Sequence, residues 1–306
     1  MVERRTLLQA AVAAGVLPYL SAFGATGATG SDPILRAIPS SGERLPVIGM
    51  GTMHTFDVEG DEPTFVRLAE VLQAFFDNGG ALVDSSPMYG KAEQVFGDVL
   101  QRTTRKDALF TATKVWADGK QQGIDEMYRS MGRMRVTSID LMQIHNLRDW
   151  RTHIETLREW KEQGKIRYIG VTTSHGRRHD ELVEAMQETD FDFVQFTYNI
   201  VDREAENRLL PMARDRGAAT LINLPFGRAT LFDKVRGKQL PEWASEFDCA
   251  SWAQFFLKFC LGDPAVTCVI PATSKPHHMV DNMGAGFGRL PDADMRQRMI
   301  RHLESL

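Results

Sequence analysis

Residues 139–171 read IDLMQIHNLRDWRTHIETLREWKEQGKIRYIGV. The first six residues form a short apolar run that predicts a strand, and the last six predict a second one. Residues 152–163 lie between them and carry apolar side chains at helical spacing, which predicts an amphipathic helix. Parallel strands need a long crossover connection, usually a helix, so this stretch predicts a strand–helix–strand unit with two parallel strands.

The same alternation continues through the chain after residue 30. A hairpin is predicted for residues 35–38 and 44–47, and the other strand candidates are 47–51, 81–84, 109–113, 193–196, 219–224 and 266–270. Helical spacing occurs between these strands in 64–77, 180–187, 207–216 and 251–261. Eight strands with helical connections favour an α/β fold, a single parallel (β/α)8 TIM barrel, over an open doubly wound sheet. The long connection 225–250 after the seventh strand predicts a loop at the mouth of the barrel.

The composition is that of a soluble globular protein. The chain has 306 residues, of which 43% are hydrophobic and 25% charged, and this excludes a disordered or collagen-like chain. Because 36 Lys and Arg stand against 40 Asp and Glu, the net charge of −4 gives no electrostatic reason to expect a nucleic-acid partner.

The first thirty residues have the pattern of an export signal. Arg4 and Arg5 precede Thr6-Leu7-Leu8, an apolar run covers residues 10–20, and small residues dominate 21–30. This order resembles a twin-arginine signal, which implies contact with the export machinery, cleavage, and a periplasmic mature protein outside the membrane. A membrane anchor or a loose helix is the alternative, but the run is shorter than the roughly 20 apolar residues that a span needs. If the signal does not function, the protein is cytoplasmic.

The sequence therefore divides into a signal peptide, residues 1–30, and a barrel, residues 31–306. Three cysteines, Cys249, Cys260 and Cys268, form no Cys-x-x-Cys pair, and we expect buried thiols, although an oxidising compartment would permit one disulfide. His277 and His278 lack a third ligand at useful spacing, so no metal site is expected. The sequence does not indicate an oligomeric state.

Polar residues at the strand ends indicate where the chemistry takes place. In a barrel the active site lies at the carboxyl ends of the strands, where Asp84, Lys114 and His145 end three successive strands and Tyr89 follows Asp84 by five residues. A Tyr is a weak acid unless its phenolate is stabilised, which a Lys ammonium can do, and Asp84 would then position Lys114. His145 could orient a carbonyl oxygen. This set suits protonation of an oxygen that becomes negative as its carbon accepts a hydride.

Six segments resemble motifs of the aldo/keto reductase family, in the family's order. The first is Asp84-Ser85-Ser86-Pro87-Met88-Tyr89-Gly90, followed by Ala92-Glu93 and Phe96-Gly97. The others are 113–116, 139–146, 164–171, 194–199, and 269–271 leading to Asp281-Asn282. The resemblance implies a carbonyl reductase that uses NADP, with NAD possible, and takes a small-molecule aldehyde or ketone. It also implies a catalytic tetrad of Tyr89 as general acid with Asp84, Lys114 and His145.

The resemblance also implies the residues that bind the cofactor and the substrate. The cofactor set is Gly51, Thr52, Met53, Thr172, Thr173, Gln195, Asn223, Leu224, Phe226, Thr273, His278, Asp281 and Asn282. The substrate pocket would include Trp116 and Asn146.

Four of these positions are noted as departures from the family pattern. Thr172 and Thr173 replace Ser-Asn, and Asn223 stands where the family has an aromatic ring under the nicotinamide, so that Phe226 or Tyr198 would have to replace that ring. His278 replaces an Arg, and an imidazole is a weaker, pH-dependent partner for a 2′-phosphate, with Lys275 as a possible helper.

Two other functions are compatible with these residues. One is a nicotinamide-binding sensor or accessory subunit with little turnover. The other is a metal-free hydrolase or lyase that uses Asp84 and Glu93 as paired carboxylates.

Overall fold

The computed structural model describes residues 32–174 and 178–306. The predicted signal peptide, residues 1–30, lies outside the described residues.

Eight parallel strands form the central sheet, in chain order. They are β3 (Met50–Gly51), β4 (Leu82–Asp84), β5 (Phe110–Val115), β6 (Ile139–Ile144), β7 (Ile166–Thr172), β8 (Phe193–Thr197), β9 (Ala219–Asn223) and β10 (Cys268–Val269). A parallel bridge between Ile48 and Val269 joins the first strand to the last, and the Gly49 N–H donates to the Val269 carbonyl at 2.9 Å. The sheet is therefore a closed barrel, as predicted.

Helices cover the outside of the barrel. They are α1 (Glu62–Asp77), α2 (Ala92–Leu100), α3 (Lys120–Met134), α4 (Trp150–Glu162), α5 (His179–Glu188), α6 (Leu209–Arg216), α7 (Thr230–Lys234), α8 (Trp252–Leu261), α9 (Pro276–Gly284) and α10 (Ala293–Glu304). Caps fix the starts of several of them: the Asp61 carboxylate accepts the Thr64 N–H, and the Ser251 hydroxyl accepts the Gln254 N–H. The buried faces of these helices pack on the outward side chains of the strands.

A hairpin of β1 (Leu35–Ala37) and β2 (Arg44–Pro46) lies at the amino-terminal end of the barrel. Ile38 and Leu45 pack there against the lower interior of the barrel, an apolar cluster that includes Leu82, Phe110, Leu141, Tyr168 and Phe193. Side chains alternate between the two faces of a strand, so the next inward position lies two residues further on. At that level the interior is polar, with buried Asp84, Lys114, Gln143 and Gln195.

The structure shifts some predicted boundaries. Strand β5 continues to Val115, so Lys114 lies within the strand rather than after it, and β10 is shorter than predicted. The connection 225–250 holds α7 and a 3-10 helix, Glu242–Phe247.

The three cysteines are free and buried, as expected for thiols that pack as apolar side chains. Cys268 lies in β10, Cys260 in α8 and Cys249 between the 3-10 helix and α8. Burial raises the pKa of Cys249 and of Cys268 to about 12, and it raises the pKa of Cys260 as well.

Within residues 32–174 and 178–306, no helix has the length and apolarity of a membrane span. The same residues contain no cluster of three His, Cys, Asp or Glu side chains able to hold a metal ion.

Candidate active site

A buried ion pair lies at the carboxyl end of the barrel. The Lys114 Nζ donates to Asp84 Oδ2 at 2.6 Å and to the Ser85 carbonyl at 2.7 Å, and both charged side chains are almost fully buried. Burial lowers the pKa of Lys114, but Asp84 and Tyr89 offset this, and the net pKa is raised. Lys114 is therefore an ammonium at neutral pH.

Two amides hold the other oxygen of Asp84. Gln143 Nε2 donates to Asp84 Oδ1 at 2.8 Å, and Gln195 Nε2 donates to the same oxygen at 3.1 Å. Gln143 finds room because the neighbouring Gly170 has no side chain: a Cβ there would lie 2.8 Å from Gln143 Cγ. Sequence reasoning missed Gln143, although a polar residue at an inward position of an otherwise apolar strand is a usable signal.

Tyr89 lies above this pair, in the turn after β4. Its N–H donates to the Ser86 carbonyl at 3.0 Å, and the Lys114 ammonium lies 5.1 Å from the centre of its ring. Burial raises the pKa of Tyr89, and Lys114 opposes this by its charge and a hydrogen bond, but the net pKa is raised. The expected stabilisation by Lys114 is present, yet it does not outweigh burial, and the phenol stays protonated at neutral pH.

His145 lies beside Tyr89 at the end of β6. The two rings meet edge to face with their centres 5.7 Å apart, and the Nδ1 of His145 lies 2.9 Å from the Ser86 hydroxyl. Burial and the charge of Lys114 lower the pKa of His145 to about 3, so its imidazole is neutral. The structure thus brings the four residues of the predicted tetrad together.

A cavity of about 620 Å³ opens beside these residues. Asp84 and Tyr89 line it, together with eleven of the thirteen predicted cofactor residues: Gly51, Thr52, Met53, Gln195, Asn223, Leu224, Phe226, Thr273, His278, Asp281 and Asn282. These eleven residues therefore line the same cavity as the predicted general acid.

Besides Lys114 and His145 of the predicted tetrad, four predicted cofactor and substrate residues lie outside the lining of this cavity. Thr172 Oγ1 accepts the Asn146 N–H at 3.1 Å, and the Thr173 hydroxyl is buried with no hydrogen-bond partner among the described residues. Asn146 itself has a left-handed backbone, with φ of 52°. Trp116 lies under the Arg148 guanidinium, 4.4 Å from the centre of its ring. A role for these four residues stays a prediction.

The aromatic ring that could replace the family's platform is not Tyr198. Tyr198 is fully buried, with its hydroxyl donating to Glu206 at 2.5 Å, whereas Phe226 lines the cavity and packs on Phe232 at 4.9 Å. The amide of Asn223 accepts from the Thr197 hydroxyl at 2.7 Å and donates to the Thr173 carbonyl at 3.1 Å. The cavity lining at Asn223 is therefore a polar surface that two hydrogen bonds hold in place.

The far end of the cavity is formed by α9 and the segment before it. Thr273 Oγ1 accepts the Lys275 N–H at 3.1 Å, and Asp281 Oδ1 accepts from Gln254 Nε2 at 2.8 Å. His278 is exposed, and partial burial and the neighbouring His277 lower its pKa. At neutral pH His278 is therefore a poor cation.

The lining also contains residues that sequence reasoning missed. They come from the loops after β3 and β9 and from the start of α8: His54, Thr55, Pro225, Arg228, Ala229, Phe232, Ser251, Trp252 and Ala253. Four of them lie in the connection 225–250, which the sequence predicts at the mouth of the barrel, but no local pattern indicates which of its side chains face the cavity.

The structure separates Glu93 from Asp84. Glu93 is buried behind the sheet, where it accepts from the Thr113 hydroxyl at 2.6 Å, while Asp84 points into the barrel. The pair of carboxylates that a hydrolase would need is not formed.

A family description of the aldo/keto reductases matches residues 47–299, more than four-fifths of the chain. The chain belongs to the aldo/keto reductase family. It is 28% identical over 230 residues to Aldo-keto reductase YhdN of Bacillus subtilis, a match that covers 69% of this chain and 66% of that protein.

Two solved structures show the same fold. Aldo-keto reductase AKR11C1 of Bacillus halodurans, in its holo form, matches with a TM-score of 0.73 at 21% identity, over 89% of this chain and 96% of that one. An aldo/keto reductase of Klebsiella pneumoniae in complex with NADP and acetate matches with a TM-score of 0.70 at 22% identity, over 86% and 93% of the chains.

Proposed function

We propose that this aldo/keto reductase reduces an aldehyde or ketone to an alcohol with NADPH or NADH, and that Tyr89 donates the proton. The observation that carries the proposal is the position of the Tyr89 phenol on the wall of the cavity, next to the buried Lys114–Asp84 pair. A family member that binds NADP supports the choice of cofactor.

The cavity fits a nicotinamide dinucleotide in its chemistry. Amide, hydroxyl and apolar side chains line it together. Just outside the lining, next to Gln195, the buried Thr173 hydroxyl has no hydrogen-bond partner among the described residues. Gln195 and Asn223 would hold the end near Tyr89, and Thr273 and Asn282 the far end. When bound, the reduced cofactor supplies the hydride.

Each residue of the tetrad has a different role in proton transfer. The Tyr89 phenol donates to the carbonyl oxygen as negative charge develops there, and the Lys114 ammonium stabilises the phenolate that remains. Asp84 keeps Lys114 charged and fixed. His145, neutral because its pKa is about 3, offers a hydrogen bond rather than a second positive charge.

A binding titration with NADPH and NADH tests the cofactor assignment without a known substrate. We expect saturable binding of at least one of them, with less than about tenfold preference for NADPH, because His278 supplies no fixed charge for a 2′-phosphate. His278→Arg should raise the affinity for NADPH and leave that for NADH unchanged. No binding of either nucleotide would contradict the proposed function.

A second candidate function is a nicotinamide-binding sensor with little turnover. The polar surface at Asn223 favours it, because Asn223 has no aromatic ring on which a nicotinamide could stack. Single-turnover kinetics distinguishes the two. A bound, reduced cofactor that stays reduced for minutes with every member of a panel of aldehydes and ketones would favour the sensor.

We also propose that residues 1–30 act as a twin-arginine signal that exports the folded protein to the periplasm. Fractionation of cells that express the full chain and its Arg4→Lys, Arg5→Lys double variant tests this. The wild type should be found in the periplasm and the variant in the cytoplasm, and equal distribution of both would contradict export by this route.

A further inference from the structure

Ser86 lies between the two residues to which the proposed function gives proton-handling roles. It is fully buried, its carbonyl accepts the Tyr89 N–H at 3.0 Å, and its hydroxyl lies 2.9 Å from His145 Nδ1. The Met88 N–H donates to the same hydroxyl at 3.2 Å. One side chain therefore contacts the turn that carries Tyr89 and the ring of His145.

The direction of the bond between Ser86 and His145 follows from the count of protons. The Met88 N–H can only donate, so the Ser86 oxygen accepts there and its own hydroxyl proton remains to be placed. Among the described residues, His145 Nδ1 is the acceptor within reach. The opposite direction, from Nδ1–H to the serine oxygen, would leave the hydroxyl proton buried without an acceptor, which is unfavourable.

The charge state of His145 makes this direction important. Lys114 and the Tyr89 phenol are the ionisable groups that face the ring, with Asp84 paired to Lys114, and the ammonium disfavours a second proton on the imidazole. A neutral imidazole has one N–H, and the nitrogen that carries it decides where the ring can donate.

We propose that Ser86 fixes the tautomer of His145 by donating to Nδ1, so that the proton lies on Nε2. Ser86 is then a positioning residue. Because Ser86 donates to Nδ1, Nε2 is the ring nitrogen of His145 that can donate a hydrogen bond to a substrate oxygen. This catalytic consequence rests on the proposed function, but the tautomer does not.

Nitrogen NMR of the imidazole side chains tests the tautomer in the free protein, with no substrate or cofactor. In protein labelled with ¹⁵N-histidine, long-range ¹H–¹⁵N correlations distinguish an Nε2–H ring from an Nδ1–H ring, and the His145→Gln variant identifies the signal. We expect His145 to be an Nε2–H ring at pH 7. An Nδ1–H ring would overturn the proposal.

The variant Ser86→Ala removes the hydroxyl. In this variant the Nδ1 resonance of His145 should move toward the value of an acceptor nitrogen without a hydrogen bond. An unchanged resonance would overturn the proposal. Ser85→Ala is the matched control, because the Ser85 hydroxyl is equally buried but bonds to Thr52 at 2.9 Å and not to His145. The His145 signals of this control should stay in place.

Kinetics tests the catalytic consequence separately. With NADPH and 4-nitrobenzaldehyde as probes, Ser86→Ala should lower kcat about tenfold, as expected for one lost hydrogen bond to the ring, and leave the dissociation constant of NADPH unchanged. An unchanged kcat would overturn the positioning role. If wild type turns over no member of a panel of aldehydes and ketones while its His145 is an Nε2–H ring, the proposed function fails and the tautomer assignment stands.

Discussion

The two halves of the barrel interior are built from the same strands and have opposite character. In the lower half the strands present Leu82, Leu141 and Phe193, sealed by Ile38 and Leu45 of the hairpin. Two residues further along the same strands, the inward positions are Asp84, Gln143 and Gln195. One step of strand periodicity, about 6.5 Å, separates an apolar core from a charged site.

This difference shows how the fold can hold a buried ion pair. Burying Lys114 and Asp84 is costly unless both are paired and hydrogen-bonded, and the amides of Gln143 and Gln195 together with the Ser85 carbonyl provide those bonds. The lower half supplies the apolar burial that stabilises the barrel. Substitutions in the lower half should therefore change stability alone, whereas those in the upper half should change the chemistry, and also the stability where they break the ion pair.

Lys114→Met should have the largest effect, because it damages both stability and chemistry. It leaves Asp84 buried without a counter-charge, and we expect a loss of about 3–5 kcal/mol in the free energy of unfolding together with loss of carbonyl reduction. Urea unfolding measures the first. Lys120→Met is the control, since the exposed Lys120–Glu159 pair should contribute about 0–1 kcal/mol. A stable Lys114→Met protein would mean that Asp84 takes up a proton at little cost.

Tyr89→Phe should separate chemistry from stability. Loss of the general acid should lower kcat with 4-nitrobenzaldehyde by about 10³-fold, while the affinity for NADPH and the Tm stay close to wild type. Tyr128→Phe, at an exposed tyrosine on α3, serves as the control. Retention of most of the rate in Tyr89→Phe would remove the phenol from the acid role.

Leu141→Ala should have the opposite effect and lower stability while the chemistry stays unchanged. Truncating this fully buried side chain in the lower half should cost about 3 kcal/mol of stability through the cavity it leaves. The kcat and NADPH affinity of the folded protein should stay within about twofold. A tenfold loss in kcat would show that the lower half shapes the site through Gln143, its neighbour on β6.

Stability should fall in mild acid because His145 is held neutral. Its pKa in the folded protein is about 3, below the ordinary value of 6.5, so the unfolded chain binds more protons between these values and stability rises with pH there. From pH 7 to pH 5, His145 should account for a loss of about 2 kcal/mol. His145→Gln should flatten the dependence of the unfolding free energy on pH, and parallel curves for variant and wild type would contradict this origin.

The sequence predicted the closed barrel, the hairpin and the meeting of Asp84, Tyr89, Lys114 and His145. These features depend on local signals: the alternation of strand and helix, and polar residues at strand ends, which a parallel barrel brings to one face. Eleven of the cofactor residues that the family resemblance implies also line the cavity.

The remaining features depend on contacts between distant parts of the chain. Phe232 in the connection after β9 and Trp252 at the start of α8 line the cavity. The sequence predicted this connection at the mouth of the barrel, but no periodicity indicates which side chains face the cavity. Gln143 and Ser86 were not predicted as site residues. Gln143 lies in the motif interpreted for His145, and Ser86 lies in the motif interpreted for Asp84 and Tyr89. The net pKa of Tyr89 depends on how much burial opposes the charge of Lys114, which requires coordinates.

The three buried cysteines can report where the fold opens locally. A buried thiol with a raised pKa has almost no thiolate at neutral pH, so it should react mainly when its surroundings open. Cys268 reports on the barrel wall, Cys260 on the helical layer and Cys249 on the segment between the long loop and α8. Their rates of alkylation would rank how often each layer opens, without any added label.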